Sequence, residues 1–147
     1  MERAYRVRRS CLAVPASSER FIEKARGLPA DEVFLDLEDA VAPAAKAQAR
    51  ANAAAAVSGD WGGRLVAVRV NDAATQWAHR DVLDVASGGR VDAVILPKVT
   101  SPDHVVWLDL LLGQVEREAG LPVGRTGPRR PRGQGTPRPR AGRAPWR

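Results

Sequence analysis

Glu32-Val33-Phe34-Leu35-Asp36-Leu37-Glu38-Asp39 is the stretch on which the fold turns: a short apolar run that ends in three carboxylates within four residues. The run is nearly continuous rather than alternating, as suits a parallel strand covered on both faces. Beyond it, after Pro43, the alanine-rich residues 44–57 predict a helix that stops near Ser58-Gly59.

The same order, strand then helix, recurs on either side. Upstream, Cys11-Leu12-Ala13-Val14 closes at Pro15 and leads through Ser17, the expected cap, into a helix over 18–26 with Gly27 as its stop. Downstream, Leu65-Val66-Ala67-Val68-Arg69-Val70 leads past Asn71 and Asp72 to a helix over 77–86. Ala93-Val94-Ile95-Leu96 then closes at Pro97-Lys98, and Ser101-Pro102-Asp103 caps a helix over 103–119. In that helix Val105, Leu108, Leu111, Leu112 and Val115 form an apolar stripe, with Asp109, Gln114, Glu116 and Glu118 expected mostly off it. Four βα units in succession predict a parallel sheet with right-handed crossovers. Periodicity leaves two architectures open, an open doubly wound sheet and part of a closed barrel.

At 147 residues the chain is shorter than the roughly 250 residues of a complete β/α barrel. The net charge of +6 is unevenly placed: residues 121–147 hold eight Arg and no acidic residue, leaving 15 basic and 17 acidic residues before them. Residues 125–147 are dominated by Arg, Pro and Gly and are expected to be a disordered basic tail after a folded region over 1–124. An authentic tail, a linker, or a shifted reading frame in GC-rich DNA would each give that composition. The last fits Leu121-Pro122-Val123-Gly124, which reads like the approach to a fifth strand. Such a tail, without a folded reader or aromatic platforms, makes nucleic acid a poor partner. Cys11 is the only cysteine, so no intrachain disulfide forms, and it reads as a small buried apolar residue. No signal peptide and no 18-residue apolar span is visible, and a soluble cytoplasmic protein is expected.

Ligands of parallel β/α folds gather at the carboxyl ends of the strands, which places three polar clusters there. Asp36, Glu38 and Asp39 end the second strand; carboxylates so close need a cation or shared protons, although a solvated, helix-capping loop is the simpler alternative. Arg69 and Asn71 end the third; the Arg fork suits a carboxylate or phosphate, or pairs internally with Glu38 or Asp39. Lys98 ends the fourth, as an anion-binding charge, a Schiff-base amine or an ion-pair partner. His79 and His104 lie in helices with no third ligand nearby, so no metal-ligating set is assigned. No phosphate-cradling or nucleophile-elbow motif is present.

These clusters sit inside four recognisable landmarks: Arg9-Ser10-Cys11-Leu12-Ala13-Val14-Pro15, Phe34-Leu35-Asp36-Leu37-Glu38-Asp39-Ala40-Val41 with Lys46 and Ala49-Arg50 following, Val68-Arg69-Val70-Asn71, and Ile95-Leu96-Pro97-Lys98-Val99. Over about residues 6–124 the chain resembles the citrate lyase beta-subunit and malyl-CoA lyase (HpcH/HpaI aldolase) family. The resemblance implies the N-terminal half of an eight-stranded β/α (TIM) barrel, and a homo-oligomer when intact. It implies a carbon–carbon lyase acting on a 3-hydroxyacyl thioester, carried by CoA or a carrier protein, to give an acetyl thioester and a 2-oxo acid. Arg69 and Asn71 then bind substrate, and Glu38, Asp39 and Lys98 belong to the catalytic mouth. Mg²⁺ is the cofactor implied, with ligands from later strands; no acidic residue follows Glu118, so the chain alone is expected to be an inactive fragment with open edges at strands one and four. The alternatives are a non-catalytic, partner-dependent fragment and a basic-tailed binding module.

Overall fold

The computed structural model of the protein describes residues 6, 8–88 and 90–129. Chain order is β1 (Cys11–Pro15), α1 (Glu19–Arg26), β2 (Glu32–Asp36), a 3-10 turn (Pro43–Ala45), α2 (Lys46–Val57), β3 (Leu65–Arg69), α3 (Ala78–Ala86), β4 (Ala93–Ile95), α4 (Pro102–Glu118) and β5 (Gly127–Arg129). The strands form one parallel sheet in sequential order, with Phe34 beside Ala67 and Ala67 beside Ala93, and with Asp36 beside Arg69 and Arg69 beside Ile95.

Side-chain alternation along the strands resolves the architecture that periodicity left open. Val33, Leu35, Val66, Val68, Val70, Val94 and Leu96 share a single core with Ile22 and Ala25 of α1, Ala49 and Ala53 of α2, Val82 and Val85 of α3, and Leu108 and Leu112 of α4. The alternate positions Phe34, Ala67, Ala93 and Ile95 form a separate, smaller apolar cluster. All four helices therefore cover one face, as around a barrel; a doubly wound sheet would divide them between two. Sequential strand order says the same.

Local chemistry explains most boundaries. The α1 cap is Ser18, whose hydroxyl accepts from the Phe21 amide, one residue later than the expected Ser17. Ser101 caps α4 with Pro102 in the first turn. Gly62 and Gly63, at φ +60 and +76, make the left-handed turn into β3.

Three expectations need correction. Order continues past 124: Thr126 is buried and Gly127–Arg129 adds a fifth strand, so β4 is not an edge, and among the described residues the outer strands of the sheet are β1 and β5. The rest of the expected tail, from 130, lies outside the described residues. Glu116 is fully buried instead of lying off the apolar stripe; it accepts from the amides of Gly124 and Thr126, each at 2.6 Å. These charge-assisted bonds dock the segment before β5, which has no apolar run of its own. Cys11 is exposed, on a strand that among the described residues pairs only with β2. Among the described residues no helix is long and apolar enough to cross a membrane.

Candidate functional site

Parallel register brings Asp36 and Arg69 side by side at the carboxyl ends of β2 and β3, and the β4–α4 connection carries Lys98 to the same place. Arg69 donates from Nε to Asp36 Oδ1 at 2.9 Å and from Nη2 to Oδ2 at 2.5 Å, and lies 3.6 Å from Glu38 Oε2. Its internal partner is thus chiefly Asp36, a member of the acidic cluster that had been given no separate role. Lys98 Nζ lies 2.7 Å from Glu38 Oε1 and 3.4 Å from Asp39 Oδ1. Glu38 therefore bridges the two cations.

Exposure divides these groups. Asp36 and Glu38 are buried, the Arg69 side chain is 23% exposed, and Lys98 and Asp39 are 54% and 68% exposed. The cluster is a mouth with a buried floor and a wet rim. Lys98 has φ +50, the one non-glycine residue in the left-handed region among those described. Such conformations cost about 1–3 kcal/mol and collect at functional sites.

The charges set one another. Burial pushes the Asp36 carboxyl up, but the Arg69 hydrogen bonds, the Glu38 and Ala40 amides and the Arg69 charge outweigh it and hold the group below its ordinary value. Arg69 is correspondingly raised, mainly by its bonds to Asp36. The Lys98 ammonium is raised by its contact with Glu38.

Asn71, just past the end of β3, turns toward α3. It is buried, and both its backbone amide and its side-chain amide donate to Asp81 Oδ2, at 3.0 and 2.7 Å; Asp81 Oδ1 takes Arg50 Nε at 2.7 Å. Lys46 was noted in sequence only as part of a landmark, yet it is buried under the mouth and donates to the carbonyls of Leu37 and Glu38 at 2.8 and 2.9 Å. Helical phase carried a signal for both supporting residues. Lys46 falls in step with buried Ala49, Ala53 and Val57, and Asp81 with buried Ala78 and Val85. A charge at a core phase of a helix points to a buried polar network.

The described residues do not make a cage for Mg²⁺. No group of three or more His, Cys, Asp or Glu among them is arranged to hold a metal ion, and the carboxylates of the mouth face Arg69 and Lys98.

With this geometry in view, comparison with known proteins is informative. The family model for HpcH/HpaI aldolase/citrate lyase matches residues 9–127. The L-malyl-CoA/beta-methylmalyl-CoA lyase of Cereibacter sphaeroides is 42% identical over 109 residues, covering 72% of this chain and 34% of that one. A (3S)-malyl-CoA thioesterase of the same species is 44% identical over 98 residues, covering 66% and 34%. The chain thus spans about one third of the length of these relatives. Among solved structures, Haloferax volcanii malate synthase in a pyruvate/acetyl-CoA ternary complex superposes with a TM-score of 0.77 over 88% of this chain and 40% of its own, at 19% identity, a likeness of fold. RipC of Yersinia pestis gives 0.53 over 71% of this chain and 41% of its own, at 31% identity. Landmarks, barrel-like sheet and family match agree: the chain belongs to the HpcH/HpaI aldolase/citrate lyase family.

Proposed function

We propose that this chain forms the substrate-organising part of a carbon–carbon lyase acting on a 3-hydroxyacyl thioester of the citryl- or malyl-CoA kind. The observation that carries the reading is the convergence of Arg69 and Lys98 on Glu38 at the ends of adjacent parallel strands. Cleavage breaks the bond between C2 and C3 of the acyl chain. The 3-hydroxyl gives up its proton and becomes the carbonyl of a 2-oxo acid, while the electron pair passes to a thioester enolate that takes up a proton to give the acetyl thioester. Negative charge develops first on the alkoxide and then on the enolate, and fixed cations in a partly dry mouth stabilise both.

In this reading Arg69 meets the carboxylate of the oxo-acid end with the donors that Asp36 leaves over, and Asp36 aims the guanidinium. Glu38 and Asp39 line the mouth, and Lys98 supplies the rim charge. Asn71, anchored on Asp81, ties the end of β3 to α3. Mg²⁺ is the cofactor implied for the family. Its ligands would have to be carboxylates other than these. The proposal extends to a cytoplasmic homo-oligomer as the whole enzyme, and to the 147-residue chain by itself binding the oxo acid without turnover.

A second reading, hydrolysis of the same thioester, is favoured by the thioesterase relative at 44% identity. One experiment separates them. The purified chain is titrated with glyoxylate, followed by NMR, and separately incubated with L-malyl-CoA and Mg²⁺ with chromatography of the products. Saturable glyoxylate binding that is lost in Arg69→Gln, with no turnover, is the expected result. Absent or Arg69-independent binding sinks the site. Acetyl-CoA and glyoxylate from the chain alone would overturn its inactivity, and malate with free CoA would establish the hydrolase.

A further inference from the structure

Lys46 poses a problem of energetics. Its side chain is buried in α2, yet among the described residues its ammonium has no carboxylate within ion-pair distance. Buried charges ordinarily survive by pairing, and a Met or Leu on this core face would avoid desolvation altogether. The ammonium instead takes two carbonyl oxygens, Leu37 at 2.8 Å and Glu38 at 2.9 Å, and lies 5.2 Å from the centre of the Trp77 ring. Burial lowers its proton affinity, while the charges of Asp81, Asp36, Glu38 and Asp39 work the other way. The two carbonyls thus stand where a contact partner of opposite sign would be expected.

Successive carbonyls of an extended strand point to opposite sides. Leu37 and Glu38 turn theirs to one ammonium, so the chain leaves the strand conformation directly after Asp36, where β2 ends. The Glu38 and Ala40 amides then close onto the Asp36 carboxylate, at 2.9 and 3.2 Å. Both halves of that turn are fixed, the carbonyls by Lys46 and the amides by Asp36. Trp77, at the head of α3, ties the same ammonium to the connection that follows β3.

We infer that Lys46 is the positioning residue of the mouth, holding the 37–40 turn in the one conformation that presents Glu38 to Arg69 and Lys98. Its functional meaning rests on the mouth being the oxo-acid site, but its geometry can be tested without substrate. The full chain is compared with Lys46→Met, which keeps the stem and loses the donors, and Lys46→Arg, which restores a charged donor. Amide hydrogen exchange is read at Glu38 and Ala40, with Val68 in the middle of β3 as the reference. Lys46→Met is expected to lower protection at Glu38 and Ala40 by about tenfold or more relative to Val68, the scale of a lost charge-assisted hydrogen bond, and Lys46→Arg to recover much of it. Equal losses at all three amides, or none, would overturn the inference.

If Lys46→Met does not fold, the unsubstituted chain decides. A slowly exchanging Lys46 ammonium with hydrogen-bond couplings to the carbonyl carbons of Leu37 and Glu38 sustains the role, and a freely exchanging one ends it. Glyoxylate titration of the folded variants supplies the separate arm. A chain that never binds glyoxylate, yet loses Glu38 protection in Lys46→Met, refutes the proposed function and leaves the positioning role intact.

Discussion

Asp36 and Arg69 stand side by side across the β2–β3 pair and meet in a two-pronged ion pair, Nε to Oδ1 at 2.9 Å and Nη2 to Oδ2 at 2.5 Å. Asp36 is buried while Arg69 keeps 23% of its side chain exposed, so the two partners are not equivalent. Removing the cation strands a buried carboxylate; removing the carboxylate leaves a cation that can reach water, but also leaves the Glu38 and Ala40 amides without their shared acceptor.

Arg69→Met is expected to destabilise the chain by about 3 kcal/mol, the scale for orphaning a buried charge, and Asp36→Asn by a similar amount, because its NH₂ group must face both an Arg69 donor and a backbone amide. The double variant should recover part of the Arg69→Met loss, because the stranded charge is gone. Urea unfolding of the four proteins measures this cycle. Single losses that simply add would show that the pair is not coupled.

The same pair sets a pH dependence. Asp36 is held below its ordinary value near 3.8, so between the two values the unfolded chain binds a proton that the folded chain refuses. Its stabilising contribution is fully present above that ordinary value and is lost as pH falls through the lower folded one. Urea midpoints taken from about pH 5 down to about pH 2.5 should fall for the unsubstituted chain and fall less for Arg69→Met, which lacks the part of the depression that Arg69 supplies. Parallel slopes would place the acid sensitivity elsewhere.

How far this could be read in advance depended on what each element uses to hold itself. β2, β3 and β4 announce themselves by apolar runs, and the polar residues that end them were found at the mouth for that reason. β5 could not be found in this way. Gly127-Pro128-Arg129 has no apolar signal, and its approach is fastened by Glu116, whose burial was missed although it lies four residues beyond Leu112 and eight beyond Leu108. The pairing of Arg69 with Asp36 depends on strand register, which one strand's sequence does not state. Lys46 and Asp81 were legible by helical phase, but a lone charge at a core phase was passed over.

Asp81 gives a third prediction. It is buried and receives Arg50 on one oxygen and two donors from Asn71 on the other. In Asp81→Asn one of those oxygens becomes an NH₂ group facing donors, and Arg50 keeps only the more distant Asp84, at 4.0 Å, as a counter-charge. The expected cost is about 3 kcal/mol in urea unfolding. Asn71→Ala should cost less in an Asp81→Asn background than in the unsubstituted chain, since the contact is already compromised. Strict additivity would remove Asp81 as the anchor of Asn71.

Glu116 gives the fourth, and it separates local from global stability. Its two carboxylate oxygens each take one amide, Gly124 on Oε2 and Thr126 on Oε1, both at 2.6 Å. A glutamine has a single carbonyl oxygen, so Glu116→Gln must leave one amide facing an NH₂ group, at a local cost of about 2 kcal/mol. The β1–β4 core does not depend on that contact, whereas β5 reaches the sheet through it. Hydrogen exchange should therefore accelerate at Gly127, whose amide donates to the Asp92 carbonyl at 3.2 Å, far more than at Val68 in β3. If Gly127 and Val68 respond together, β5 is cooperative with the whole sheet; if neither responds, its docking rests on the β4 ladder and not on the carboxylate.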